Sequence, residues 1–395
     1  MFENRFEIYS ARSQAAAQAE LRAGWEAAFQ ASTSLLKLFQ SPSWFDHLLV
    51  TEKDPDLYVA SARDDSGETV ATPIRRQPEY PLEVKALHRT VFRANLKLVE
   101  LLATSPLLPP DEPAHDWLLR SIVERFPDCD CIGANFVPTD SFFWHYVHES
   151  RFVRENFMLY LPEVGRLHSL ALPPTFDDYL GKFKAKTRFT LRKKVKLLDA
   201  HCQGHLALRR YETPEQAHEF IATVLPLAQR SWQHQEFGGV FQDGIDWERK
   251  VTDLAARSMF RGYILWAGET PYAFVLGYQH GNVYFYAKVG FDQAFDKLSP
   301  GTVLLFLLIE DLYRYHPPTR LNFGRGDSHY KEAFGNVAAD DHDVLLVRRT
   351  LKNRARLVAH MGMSRGISWA KAHVPDLRTW RHHGKSGAAA ADEPS

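Results

Sequence analysis

Residues 286–305 read YAKVGFDQAFDKLSPGTVLL, and this stretch decides the class of fold. A run of β-forming residues leads into Ser299-Pro300-Gly301, and an apolar run follows, so the stretch predicts a strand, a tight turn and a helix. The first amides of a helix lack partners within the helix and favour an anion. Gly301 lets a pyrophosphate approach the backbone closely. The turn is therefore a candidate anion site, although the same residues also suit a plain strand-to-helix connection.

The segments around this turn predict a meander of antiparallel strands. Arg261–Ala267, Tyr272–His280 and Val283–Gly290 have the composition of strands and are separated by short glycine-containing turns. A helix over Thr302–His316 and a short strand over Arg320–Phe323 follow. This pattern predicts an α/β (α+β) fold with mixed, mostly antiparallel central sheets flanked by helices.

The first half of the chain repeats the same order of elements. Two strand-like runs, Leu57–Arg63 and Thr69–Arg76, flank a turn rich in Asp, Ser and Gly, and a helix is predicted over Glu112–Phe126. No residue-level identity links the two halves. The shared order of elements nevertheless indicates two domains, which a chain of 395 residues can hold.

The domain boundary is predicted from turn-forming residues. Residues 161–175 contain three prolines and a glycine and form the best linker candidate. We therefore expect an N-terminal domain over residues 1–165, with a structural or acceptor-side role. A C-terminal catalytic domain is expected over residues 166–380, and residues 381–395 have the composition of a disordered tail.

Composition excludes several functional classes. The 48 basic and 48 acidic residues balance, so no overall charge favours nucleic acid or a membrane. The first thirty residues lack the apolar core of a secretory signal, and the apolar run Val303–Ile309 is too short to span a bilayer. Cys129, Cys131 and Cys202 are typical of reduced thiols in a cytoplasmic protein, and their spacing predicts no metal site.

Residues 182–196, KFKAKTRFTLRKKVK, concentrate positive charge in this balanced chain. They contain eight Lys or Arg residues and no acid, with apolar residues at helical spacing, which predicts a helix with one packed face. The acids that usually pair with such a face at i,i+4 are missing. A solvated face is the ordinary interpretation. The alternative is contact with an anion (a phosphorylated substrate, a CoA phosphate or nucleic acid), with Arg188 and Arg192 as candidate contacts.

Residues 322–335, NFGRGDSHYKEAFG, place charged and aromatic side chains on a turn kinked by glycines, directly after a predicted strand. Turns at the carboxyl edge of a sheet commonly carry functional residues. Asp327 also suits a helix N-cap, and Tyr330 and Lys331 also suit a surface. Their grouping with Arg325 favours a site.

These motifs resemble the CelD/BcsL-type acyltransferases, a branch of the GNAT superfamily related to the FemAB peptidyltransferases. The resemblance runs over roughly residues 39–349 and is clearest in four places: SPSWFDHLL near the start, the basic segment, and the two stretches quoted for residues 286–305 and 322–335. It implies two GNAT-like folds in tandem, with acyl-CoA bound by the second. The family usually has Asp where Asn322 stands. If that carboxylate takes part in the chemistry, the departure weakens the assignment, whereas Asn can serve if the residue only orients the turn.

The resemblance also implies roles for individual residues. Acyl transfer needs deprotonation of an amine or hydroxyl, a donor to the carbonyl oxyanion and an acid for the leaving thiolate. Tyr330 is the candidate acid and Asp327 the candidate base. The expected contacts of the acyl-CoA are Lys288, Val289, Gly290, Ser299, Gly301 and Thr302. The expected contacts of the acceptor are Arg188, Arg192, Tyr286, Arg325 and Lys331.

The predicted co-substrate is acetyl-CoA or another acyl-CoA, and no metal is expected. The predicted acceptor is a small molecule or sugar, such as a nucleotide sugar used in polysaccharide or cell-envelope assembly. No membrane insertion is expected, and the sequence does not indicate an oligomeric state. Two alternatives stay open: a FemAB-like transferase that uses charged tRNA, with the basic helix on RNA, and a partner protein that keeps the fold without turnover.

Overall fold

The computed structural model describes residues 5–13, 18–63, 67–86, 89–162, 164–231 and 240–373. The predicted disordered tail, residues 381–395, lies outside them. The helices are α1 Ala19–Ala31, α2 Pro42–Thr51, α3 Glu112–Arg125, α4 Phe142–Glu149, α5 Arg151–Asn156, α6 Phe176–Gly181, α7 Ala185–His201, α8 Pro214–Gln229, α9 Trp247–Ala256, α10 Pro300–Arg314, α11 His329–Phe334 and α12 Leu351–His373. The strands are β1 Glu7–Ser10, β2 Leu57–Arg63, β3 Thr69–Ala86, β4 Arg89–Leu101, β5 Cys131–Pro138, β6 Phe157–Tyr160, β7 Val164–Ala171, β8 Leu206–Tyr211, β9 Gly262–Ala267, β10 Thr270–His280, β11 Val283–Phe291, β12 Arg320–Arg325 and β13 Val337–Arg348.

The chain forms two compact units, and the first contains the described residues up to 165 and those from 340 onward. Its strands follow the order β1-β2-β3-β4-β5-β13, and β6 also pairs with β13. Only β4 and β5 run parallel. Helix α3 covers this sheet because its apolar residues, such as Leu118 and Ile122, pack on Val99 and Ile132 in one buried cluster.

The second unit contains the described residues between 166 and 339. Its strands follow the order β7-β12-β11-β10-β9-β8, in which only β11 and β12 run parallel. Helix α10 is apolar along most of its length, and Leu304, Leu308 and Ile309 are buried in one core cluster with Val275 of β10. A fully buried aliphatic side chain contributes roughly 1.5–3 kcal/mol, so this helix is held firmly on the sheet.

Both units confirm the predicted fold class: mixed α/β, with mostly antiparallel sheets flanked by helices. None of the helices within the described ranges is both long and apolar enough to cross a membrane.

The units divide the C-terminal part of the chain differently from the predicted domains. Residues 166–380 were expected to form one domain, yet Leu345 of β13 lies opposite Gly133 of β5 in the first unit. Leu357 of α12 is buried in a cluster with Leu82 and Leu96, also in the first unit. Pairing between strands about two hundred residues apart leaves no local pattern in a sequence, so composition could not indicate it.

The first boundary between the units follows Gly165, inside the predicted linker, but the segment is not an irregular connection because β7 occupies its middle. Leu167 and Leu170 are buried, and Leu170 lies opposite Leu321 of β12. The helix predicted for residues 182–196 begins at Ala185 as α7, and the shorter helix α6 precedes it. Between α6 and α7 the backbone of Lys184 is extended and begins a new helix.

Candidate active site

The candidate site lies where β11 and β12 part. The two parallel strands pair only from Val283 with Arg320 to Phe285 with Asn322. Beyond this point β12 bulges towards β7, and Gly324 and Gly326 take positive φ angles of 75° and 96°. Such angles suit glycine, which explains the two glycines of this turn. Beyond Phe285 and Asn322 the carboxyl ends of the two strands are therefore not paired with each other.

Strand β11 is irregular at the same place. Leu276 pairs with Lys288 and Gly277 with Tyr286, so Ala287 is an extra residue in the ladder. In the described chain, no strand pairs with the β12-facing edge of β11 from Tyr286 onward. Backbone groups on that edge are therefore available to a bound molecule.

The predicted acyl-CoA contacts Lys288, Val289 and Gly290 lie on this part of β11. All three pair with β10 on the opposite edge. A Cβ at Gly290 would lie 2.6 Å from Phe274 Cε1, so only glycine fits there. The side chain of Lys288 packs over the ring of Trp247, 5.0 Å from its centroid. The strand therefore offers backbone and not a free ammonium group.

Three aromatic rings line up beside the parting of the strands. The ring centroids of Tyr286 and Phe323 are 5.8 Å apart, and Tyr330 lies 6.1 Å from Tyr286. Tyr286 is buried, whereas Tyr330 is half-buried. Burial raises the pKa of Tyr330 to about 12, so its phenol is protonated at neutral pH and can donate a hydrogen bond.

The N-terminus of α10 follows β11 after a short 3-10 helix, Gln293–Leu298, that the sequence did not predict. Ser299 precedes α10 in a left-handed conformation, φ 55° and ψ 50°, and its side chain makes no capping hydrogen bond. The first turn, which includes Gly301 and Thr302, carries no acid. This helix end keeps the positive character that favours an anion.

The corresponding helix of the first unit has the opposite electrostatics. Helix α3 also follows a strand of a parallel pair, but Asp111 caps it by accepting from the Ala114 amide at 3.1 Å. Glu112 adds a second carboxylate to its first turn. Both acids occupy the position that an anion would need, so the comparison favours the second unit for binding phosphates.

Asp327 is held by a histidine that the sequence analysis missed. Nε2 of His168, on β7, lies 2.8 Å from Oδ1 of Asp327. The His168 side chain is 6% exposed and that of Asp327 is 68% exposed, so the carboxylate faces solvent and the imidazole supports it. The hydrogen bond to His168 lowers the pKa of the Asp327 carboxyl. His168 gave no signal because it lies in the segment interpreted as a linker.

Arg325 and Lys331 were expected to contact the acceptor, but both are buried. Nζ of Lys331 donates to the Arg325 carbonyl oxygen at 2.6 Å. Burial lowers the pKa of Lys331 to about 8. The ammonium group of Lys331 therefore braces the turn between β12 and α11 instead of facing solvent.

Asn322 also stabilises this turn. Its Oδ1 accepts from the Gly324 amide at 2.8 Å, a contact that a carboxylate could equally make. Its Nδ2 is buried and has no hydrogen-bond partner among the described residues. The contact uses only the side-chain oxygen, so it does not require the amide group that distinguishes Asn from Asp.

The two arginines of the basic helix have different environments. Nη1 of Arg188 donates to the carbonyl oxygen of Phe183 at 2.8 Å, just after α6, so this side chain is tied to the α6–α7 junction. Arg192 is exposed and forms no ion pair with any residue that the structure describes. Lys182, just before the helix, donates to the carbonyl oxygens of Phe334 and Gly335 and so fixes the end of α11.

An open cavity of about 550 Å³ lies at the other end of β11, beside Gly281 and His316. Its buried cation, Arg261, is fully engaged, donating to Tyr263 Oη at 2.7 Å and to the Tyr315 carbonyl oxygen at 2.8 Å among others. This cavity offers no free charged group to a ligand. Over the described ranges, no cluster of three or more His, Cys, Asp or Glu side chains could hold a metal ion.

Residues 185–332 match the family model described as Acetyltransferase (GNAT) domain, a range that contains β11, α10, β12 and Tyr330. A sequence comparison with curated proteins finds no match.

Among solved structures, that of FemX is similar with a TM-score of 0.57 and 12% identity, covering 85% of this chain and 98% of FemX. L-PGS from Bacillus licheniformis has a TM-score of 0.48 and 12% identity, over 91% of this chain and 99% of L-PGS. A tandem GNAT protein from the clavulanic acid biosynthesis pathway has a TM-score of 0.43 and 10% identity, over 87% of this chain and 98% of that protein. At such identities the FemX similarity supports the fold alone, and the two lower scores support no conclusion.

Proposed function

We propose that this chain is an acyltransferase that takes an acyl group from an acyl-CoA thioester and passes it to an amine or hydroxyl. The observation that carries the proposal is the parting of β11 and β12 beside the acid-free N-terminus of α10. The thioester would lie along the free edge of β11, and the pyrophosphate of CoA would lie at Ser299, Gly301 and Thr302. Helix amides there would bind its charge.

Each step of the reaction has a candidate group. Backbone amides on the free edge of β11, near Lys288 and Gly290, would stabilise the oxyanion as the acceptor attacks the thioester carbonyl. When the carbon–sulfur bond breaks, the protonated phenol of Tyr330 would donate a hydrogen bond to the departing thiolate. No covalent intermediate on the enzyme is needed, because the acceptor attacks the thioester directly.

Asp327 is the candidate group for the acceptor. Its exposure lets it meet an incoming amine or hydroxyl, and His168 fixes its orientation. Because the lowered pKa makes this carboxylate a weaker base, it is better suited to a readily deprotonated amine than to a hydroxyl. A sugar or nucleotide-sugar acceptor, the CelD/BcsL-type assignment and a cytoplasmic location remain predictions.

Thermal unfolding against a panel of acyl-CoAs, with free CoA and a desulfo-CoA control, tests the donor. A ligand at about a hundred times its Kd adds roughly 2.7 kcal/mol to the free energy of unfolding. A shift with one acyl-CoA identifies the acyl group, and transfer to a panel of amines and sugars then identifies the acceptor. Absence of any shift across the panel would contradict the proposal.

One observation favours a second candidate, an aminoacyl-tRNA-dependent transferase. The cations of α7 that face solvent lack ion-pair partners within the described structure, which suits a polyanion. A steep salt dependence of tRNA binding, together with no effect of acyl-CoA on unfolding, would favour this candidate over the first.

A further inference from the structure

The outer face of α7 combines positive charge with exposed apolar side chains. Lys186, Phe189, Arg192, Lys193 and Lys196 follow one another at helical spacing and all are exposed. Phe189 is 68% exposed. Because exposed apolar area is unfavourable in water, a partner that covered this ring would gain free energy from its burial.

The opposite face of the same helix is firmly packed. Leu191 and Leu198 are buried in the core cluster of the second unit. Leu197, one turn beyond Lys193, is 53% exposed and extends the apolar part of the outer face. Leu191 and Leu198 therefore anchor the helix to the core, and Phe189 and Leu197 take no part in this anchoring.

The cations of this face are not neutralised by any residue that the structure describes. Lys186, Arg192, Lys193 and Lys196 form no ion pair with any residue in the described ranges, and α7 has no acid in its first turn. An anionic partner would therefore meet unpaired charges without first breaking contacts within the chain.

We propose that this outer face of α7 docks on an anionic lipid surface, with Phe189 and Leu197 inserted at the level of the headgroups and the surrounding cations on lipid phosphates. At a membrane interface, Lys and Arg interact with anionic headgroups, and Phe and Leu bury apolar area at the headgroup boundary. Leucine favours lipid over nucleic acid, because an aliphatic side chain offers no ring on which a base could stack. The inference goes beyond the proposed acyl transfer and does not depend on it.

Sedimentation of the full chain with vesicles tests the proposal. The protein should bind phosphatidylcholine vesicles that contain phosphatidylglycerol, not phosphatidylcholine alone, and added salt should weaken the binding. A cation near such a surface strengthens binding about fivefold, so the double variant Lys193→Gln/Lys196→Gln should bind about 25-fold more weakly. Phe189→Ser should lose about tenfold or more.

Matched controls test whether binding depends on this face of α7 or only on the total charge and exposed apolar area of the protein. Lys53→Gln removes an exposed cation and Val164→Ser an exposed apolar side chain elsewhere, and both should bind as the unchanged protein does. Circular dichroism checks that each variant is folded. The proposal is overturned if the vesicles retain no protein, or if Phe189→Ser binds normally. It is also overturned if the same substitutions abolish binding to RNA while vesicles bind nothing.

Discussion

Nε2 of His168 donates to Oδ1 of Asp327 across 2.8 Å, although the two residues are 159 positions apart in the chain. The contact joins β7 to the turn that follows β12, and it gives an exposed carboxylate a fixed direction. It also makes a testable link between a buried imidazole and the acidity of the group proposed to meet the acceptor.

Replacing His168 with Gln should raise the pKa of Asp327 towards its ordinary value, because the hydrogen bond to His168 is the largest cause of the lowering. A lowered carboxyl pKa stabilises the fold above the unfolded-state pKa and loses this effect as the pH falls through the folded-state pKa. The variant should therefore be less stable than the unchanged protein at neutral pH, with the difference shrinking in acid. Carboxyl NMR titration and unfolding measured across pH check both effects, with His205→Gln as the control; an unmoved Asp327 pKa would contradict the assignment.

Tyr330→Phe should lower kcat by about a hundredfold or more, as loss of a general acid does, while acyl-CoA affinity changes little. The ring, which packs near Tyr286 and Phe323, is kept by this substitution. Steady-state kinetics and ligand-induced thermal shifts measure the two effects separately. Tyr315→Phe, on an exposed tyrosine, is the control, and an unchanged kcat for Tyr330→Phe would exclude the phenol as the acid.

Thr302→Glu should affect the free protein and the complex in opposite directions. A carboxylate in the first turn of α10 interacts favourably with the helix dipole, by about 0.3–1 kcal/mol, so the free protein should be as stable as before or slightly more. The same charge repels a pyrophosphate, and acyl-CoA affinity should fall about tenfold or more. Unfolding with and without acyl-CoA measures both, and Thr302→Gln is the neutral control. Undiminished affinity would place the phosphates elsewhere.

The lowered pKa of Lys331 predicts that the free energy of unfolding rises at alkaline pH. Its folded-state pKa of about 8 is below the ordinary value of a lysine, so the unfolded chain binds more protons between about pH 8 and 10.5. The free energy of unfolding should therefore increase over this range relative to Lys331→Met, which has no group to titrate. Denaturant unfolding at several pH values measures this difference. Parallel curves for the two proteins would show that the Lys331 pKa is ordinary.

Features specified by local sequence were predictable. The turn at Gly281-Asn282 predicted the hairpin of β10 and β11, and Ser299-Pro300-Gly301 predicted the start of α10. The motif of residues 322–335 predicted that Tyr330 and Asp327 lie close together in one turn, and the structure places both after β12. In these places the backbone requirements of particular residues decide the structure within a few positions.

Features that depend on distant partners were not predictable. Strand β7 was not predicted because the prolines and glycine around it are also typical of a linker, and its pairing partner β12 lies about 150 residues later. For the same reason His168, which lies on β7, was not identified as a site residue. The burial of Lys331 could not be inferred from a charged residue in a turn, because burial follows from the packing of α11 against the unit and not from composition.

The late position of β13 in the chain means that the two units become complete at different times during synthesis. Since the residues of β13 from 340 onward complete the sheet of the first unit, that unit lacks its last strand until β13 has left the ribosome. The second unit is an insertion in the first and has all its strands earlier, so it is the part able to mature first during translation. A chain that stops short of Asp340 would thus keep the proposed catalytic unit and leave β5 with an open edge, prone to pairing with other chains.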